Sequence, residues 1–150
     1  MPNPLRVLAP VAGTVHDLAD VPDAVFGLGI VGPGLAIDPL DGEVCAPLTG
    51  VVVAARSHAL VVRGDGRDVL VHLGVDTVNL DGSGFQLLVS IGEPVTAGAA
   101  VLRWDPVAVA RAGLSPLCPV LALQGRPGAV RLLVRPGDVL ERGAPLLDWT

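Results

Sequence analysis

The 150-residue chain is 51% hydrophobic and 17% charged, a composition that builds a core and excludes intrinsic disorder. Its net charge is −5 and its ten cations, every one an arginine, are scattered along the chain, which excludes a basic nucleic-acid-binding face. No apolar run approaches the roughly 18 residues of a membrane span, and "MPNPLRVLAP" has no basic segment leading into an apolar one, so the expectation is one cytoplasmic domain over residues 1–150 with no direct membrane insertion.

Nineteen glycines and fourteen prolines divide the chain into short Val/Leu/Ala/Ile-rich segments, the pattern of many short strands. The first is "LAPVAGTV" (Leu8 to Val15), which returns as "CAPLTGVV" (Cys45 to Val52) with the shared form A-P-x-x-G-x-V. A hairpin follows, "SHALVVRGDGRDVLVHLG" (Ser57 to Gly74), two apolar runs around a Gly-Asp-Gly turn. Asp105 to Ala112 is the one helix candidate, with Asp at the N-cap, Pro at the first helical position and Gly113 just beyond. Finally "VTAGAAVLRW" (Val95 to Trp104) returns as "LERGAPLLDW" (Leu140 to Trp149). The pattern predicts an all-β, antiparallel sandwich or barrel-like fold with pseudo-repeats and at most one short helix. Cys45 and Cys118 lie in apolar contexts with no C-x-x-C spacing and read as buried, reduced thiols.

The hairpin carries two of the three histidines. With a three-residue Gly64–Gly66 loop, Arg63 faces Arg67 and His58 faces His72, with Cβ atoms about 4.5–5.5 Å apart. A two-residue Asp65-Gly66 turn shifts the register by one and sends the imidazoles to opposite faces. Side by side they could bind a metal, form an acid/base couple, or serve as a nucleophile and the group that stabilises its product. A phosphoryl group on one ring would accept a hydrogen bond from the other. Two strand histidines without a role fit the pattern equally well.

The residues of several motifs resemble the glucose-type enzyme IIA component of the bacterial phosphoenolpyruvate-dependent sugar phosphotransferase system. They are "APVAGTV", "DVPDAVFGLGIVGPGLAI" (Asp20 to Ile37), "APLTGVV", "SHA" and "VHLGVDTVNLDGSGF" (Val71 to Phe85), the last long and distinctive. The resemblance implies an antiparallel β-sandwich in which His72 is phosphorylated on Nε2 by the phosphorylated histidine-containing phosphocarrier protein and passes the group to a cysteine of the IIB domain of a sugar permease. It implies that His58 is the second active-site histidine, required for onward transfer. Gly74, two residues past His72, is placed so that a backbone carbonyl could hold Nδ1–H and leave Nε2 as the nucleophile. Asp23 and Asp76 would flank the site and meet basic residues of a partner, and Phe26, Ile30 and Val31 would form an apolar docking rim. No cofactor is required beyond the transient phosphohistidine and no metal is expected, although a zinc ion shared with a partner's carboxylate is compatible with the pair. The sequence departs from the family at Arg56, where members commonly carry threonine, and at Ala54, Leu60, Leu70 and Leu73, where phenylalanines are common.

A biotinyl or lipoyl carrier domain shares the turn signatures but needs a lysine, and this chain has none. A zinc peptidase of the lysostaphin-like class needs H-x-H, which is also absent; His16, four residues before Asp20, reads as a surface residue. The remaining rival is a phosphorylation-dependent binding module that regulates transporters or kinases through the same surface.

Overall fold

The computed structural model describes residues 3–150. Fourteen strands run in chain order: β1 (Leu5–Leu8), β2 (Gly13–His16), β3 (Gly34–Pro39), β4 (Glu43–Cys45), β5 (Gly50–Arg56), β6 (Ala59–Gly64), β7 (Arg67–His72), β8 (Phe85–Leu87), β9 (Pro94–Val95), β10 (Ala100–Trp104), β11 (Cys118–Ala122), β12 (Val130–Leu132), β13 (Val139–Leu140) and β14 (Pro145–Trp149). All pairings are antiparallel. They form an eight-stranded sheet, β13-β2-β3-β11-β7-β6-β5-β9, and two three-stranded sheets, β1-β14-β12 and β4-β10-β8. One apolar core joins Leu35, Ile37, Leu60, Val71 and Val120 of the large sheet to Leu102, Trp104, Leu147 and Trp149 of the small ones.

The sequence echoes are two halves of a pseudo-two-fold arrangement. Exchanging β1, β2, β3, β11, β12, β13 and β14 for β4, β5, β6, β7, β8, β9 and β10 reproduces the order of all three sheets. The paired turns interlock: the amide of Leu8 donates to the Pro47 carbonyl and that of Cys45 to the Pro10 carbonyl, each at 2.8 Å. The shared glycine of A-P-x-x-G-x-V is fixed by close approach. A Cβ at Gly13 would lie 1.9 Å from the Asp38 carbonyl oxygen, and one at Gly50 2.1 Å from that of Arg63.

Two short α-helices, not one at most, occur among the described residues. α2 (Pro106–Arg111) lies where the sequence predicts it, with the Asp105 carboxylate accepting from the Ala108 amide at 3.0 Å. α1 (Ala24–Gly27) was not expected: at four residues it is too short for a 3.6-residue period to register. The Asp23 carboxylate caps it, accepting from the Val25 amide at 2.9 Å.

The hairpin takes the two-residue register. Gly64 pairs with Arg67 and Arg63 with Asp68, while Asp65 and Gly66 both have positive φ, 52° and 71°, as a type I′ turn requires. Arg63 thereby gains a two-pronged ion pair with Asp68, Nε to Oδ1 at 2.7 Å, in place of the Arg63–Arg67 repulsion of the other register. His72 then faces Ala59 and not His58. The two histidines nevertheless meet, because His58 lies in the turn before β6 and is free of strand alternation.

Cys45 and Cys118 are free and buried, as expected. No helix of the described residues is long and apolar enough to cross a membrane.

Candidate functional site

His72 ends β7 on the outer face of the large sheet, away from the core side occupied by Val71. Two residues on, Gly74 turns the chain with φ +76°, and its carbonyl lies 2.6 Å from Nδ1 of His72. A carbonyl oxygen only accepts, so Nδ1 carries the proton and Nε2 keeps its lone pair. The turn is locked from below. Thr77, fully buried, donates its hydroxyl to the Leu73 carbonyl at 2.6 Å, and the Val75 amide donates to the Ser115 carbonyl at 2.9 Å.

His58 is anchored beside this turn by its own carbonyl, which accepts from the Leu73 amide at 2.8 Å. The residue is 8% exposed, and its ring stands edge-on to that of His72 with centroids 5.2 Å apart and planes at 70°. Phe26, carried by α1, closes the other side of His72 at 5.1 Å. Behind it Val21, Ala36 and Val75 form a small apolar cluster on the outer face. The short helix thus lays an aromatic wall against the imidazole.

Burial holds His72 below the ordinary imidazole range, against the pull of the Gly74 carbonyl and the carboxylates of Asp23 and Asp76. His58 is also held low, first by burial and then by repulsion from His72 and Arg56. Both rings are therefore neutral at pH 7, the state in which Nε2 of His72 is a nucleophile and His58 can offer an N–H.

The other residues singled out in the sequence divide. Asp23 and Asp76 both act electrostatically on His72. Arg56, exposed at the end of β5, borders a cleft of about 380 Å³ together with His58. Ile30 and Val31 border a different cleft, of about 510 Å³, whose wall includes Arg67, stacked over Trp149. Sequence reasoning missed Val25, Leu28 and Val78, exposed by 47%, 76% and 55%. Val25 and Leu28 flank Phe26 on α1 and its end, and Val78 shares the His58 cleft. Only their place within the two longest motifs marked them. His16 makes an exposed contact with Asp20 at 3.4 Å.

The family described as phosphoenolpyruvate-dependent sugar phosphotransferase system, EIIA 1, matches residues 5–126. The chain belongs to this EIIA family. It is 35% identical over 123 residues to the "PTS system glucose-specific EIIA component" of Oceanobacillus iheyensis, covering 80% of this chain and 74% of that protein. Against proteins of the same name from Staphylococcus aureus it is 40% identical over 104 residues, 67% of this chain and 63% of theirs, so it spans less than two thirds of those relatives. The solved structure titled glucose permease IIA from Mycoplasma capricolum superposes with a TM-score of 0.88 at 32% identity, over 98% of this chain and 96% of that one. The antiparallel EIIA fold predicted from the motifs is the one observed.

Proposed function

We propose that this EIIA protein is a cytoplasmic phosphocarrier that takes a phosphoryl group onto Nε2 of His72 and hands it on. The observation that carries the reading is the 2.6 Å contact between Nδ1 of His72 and the Gly74 carbonyl, which leaves Nε2 unprotonated beside a second neutral imidazole.

In the first step the Nε2 lone pair attacks phosphorus of the phosphorylated histidine-containing phosphocarrier protein. The new N–P bond forms as the donor's N–P bond breaks, and that electron pair returns to the donor's ring nitrogen. His72 keeps its Nδ1 proton, so the ring carries a positive charge that partly offsets the phosphoryl oxygens. An N–H of His58 donates to one of those oxygens as in-line charge develops. In the second step a cysteine thiolate of a permease IIB domain attacks phosphorus and the pair returns to Nε2. The exposed Val25, Leu28 and Val78 supply an apolar rim around the neutral rings, with Asp23 and Asp76 as the charged contacts for a basic partner surface. The same rim favours a second use, in which the unphosphorylated protein binds transport or catabolic proteins and phosphorylation expels them.

The test combines the protein with phosphoenolpyruvate, enzyme I and the histidine-containing phosphocarrier protein, and reads intact mass. Wild type and His58→Gln are expected to gain one acid-labile phosphoryl group and His72→Gln none, with His58→Gln slowed in passing the group to a IIB cysteine. Absence of any gain on wild type would refute the carrier reading.

A further inference from the structure

A phosphoryl group on His72 brings close to two negative charges to a site whose nearest charged flanks, Asp23 and Asp76, are themselves acidic. The strand register supplies a cation. Arg56 of β5 is paired with Ala59 of β6, and Ala59 with His72 of β7. Directly opposed residues on antiparallel strands project to the same face. That face is the outer one, because the next paired row along, Leu60 and Val71, is buried in the core. Two inter-strand steps put the backbones of Arg56 and His72 about 10 Å apart, and the residue paired between them, Ala59, carries only a methyl group. Arg56 is exposed and, among the described residues, has no ion-pair partner within 4.0 Å. It borders the His58 cleft, where Asp81 is the one carboxylate.

We propose that Arg56 is a phosphoryl-binding residue whose guanidinium folds across Ala59 onto the oxygens of the phosphoryl group on His72. The proposal rests on the phosphocarrier reading above. In the unphosphorylated protein the side chain extends into solvent, and its charge already reaches His58, contributing to the lowered pKa of that ring. A guanidinium suits the task because its planar donors can take two phosphoryl oxygens at once. The consequence is thermodynamic: the phosphorylated form of this protein is stabilised relative to that of its donor.

The test is the equilibrium partition of phosphoryl groups between this protein and the histidine-containing phosphocarrier protein, measured by intact mass for wild type, Arg56→Gln and Arg56→Lys, with the ³¹P resonance of each phosphorylated form. Arg56→Gln is expected to shift the partition about five- to tenfold toward the donor and to move the ³¹P resonance, with Arg56→Lys, which keeps the charge but not the two-pronged contact, falling between the two. An equilibrium is indifferent to docking, so a role in partner contact alone would change the rate and leave the partition where it was. Unchanged melting temperatures are expected for both variants, since the residue is exposed. A wild type that charges on His72, with an Arg56→Gln partition within about twofold and an unmoved resonance, would overturn the Arg56 assignment and leave the carrier reading standing. A wild type that does not charge would overturn both.

Discussion

Gly74→Ala tests the link between backbone and chemistry most directly. Gly74 has φ +76°, a region that costs an L-residue about 1–2 kcal/mol. Its new Cβ would also lie 2.7 Å from Thr77 Cγ2 and 3.0 Å from the Ser115 carbonyl oxygen. Neither neighbour yields cheaply: the Thr77 side chain is tied to the Leu73 carbonyl at 2.6 Å, and the Ser115 carbonyl accepts from Val75 at 2.9 Å. Overpacking of this kind adds about 1–3 kcal/mol, so the total is about 2–5 kcal/mol and the melting temperature should fall by about 6–15 °C. Gly66→Ala is the matched control. It shares a positive φ, 71°, but its Cβ meets nothing within 4 Å, so it should lose the conformational cost alone. The displaced Gly74 carbonyl would also release Nδ1 of His72. Nitrogen-15 spectra of the imidazole should then show both tautomers where the parent shows Nδ1–H, with phosphorylation slowed in proportion to the lost fraction. A Gly74→Ala variant that melts with its Gly66→Ala counterpart and keeps a pure Nδ1–H tautomer would refute the argument.

Acid should destabilise the protein through both histidines. Their folded pKa values lie below the unfolded value of 6.5, so the unfolded chain takes up protons first as pH falls through 6.5, and stability drops until the folded pKa values are reached. Urea midpoints should therefore decline from pH 7.5 to pH 5.5, less steeply in His72→Gln; a flat or rising profile would contradict the assignment. Thr77→Val keeps the volume but orphans the buried Leu73 carbonyl, and chemical denaturation should register a loss of about 1–3 kcal/mol. Burial pushes the Cys118 thiol up to about 12 and raises that of Cys45, so a disulfide-exchange reagent should label neither in the native protein and both in urea, whereas rapid native labelling would show that one is accessible.

What the sequence could and could not convey follows from the range of the forces involved. α2 was legible because its determinants are local, an Asp cap and a proline in the first turn. The hairpin register was not, because it turns on Asp65 accepting a left-handed conformation and on the sign of one cross-strand pair, Arg63 with Asp68. The proximity of His58 and His72 was read through the wrong register, yet the rings do meet. Placing His58 in the turn removes the alternation that would have parted them. The tautomer argument needed only the two-residue step from His72 to Gly74, and it holds at 2.6 Å. The wall beside His72 depended on a four-residue helix folding back from far along the chain, and only the longer motif around Phe26 pointed to it.

The pseudo-two-fold arrangement explains why the protein has one such site and not two. In the half containing β3 and β11, Gly34 takes the place of Ala59, and its partner Leu121 takes the place of His72. The amide of Ala122 donates to the Pro33 carbonyl at 2.9 Å just as that of Leu73 donates to His58, so Pro33 is the counterpart of His58. Similarly, the Arg6–Asp148 pair is matched by Glu43–Arg103 with the charges exchanged. The halves diverge where β2 and β3 are joined. That connection holds residues 17–33, whereas β5 and β6 are joined by Ser57 and His58 alone. The long connection folds over the outer face, covering Ala36 with Val21, Leu18 and Phe26. Leu121 is fully buried, an environment that would leave an imidazole no approach for a phosphoryl donor. The same connection carries Phe26 to His72 and Asp23 near enough to act on its charge. One half of the pseudo-symmetric fold thus covers its own outer face while supplying the aromatic wall beside the histidine of the other.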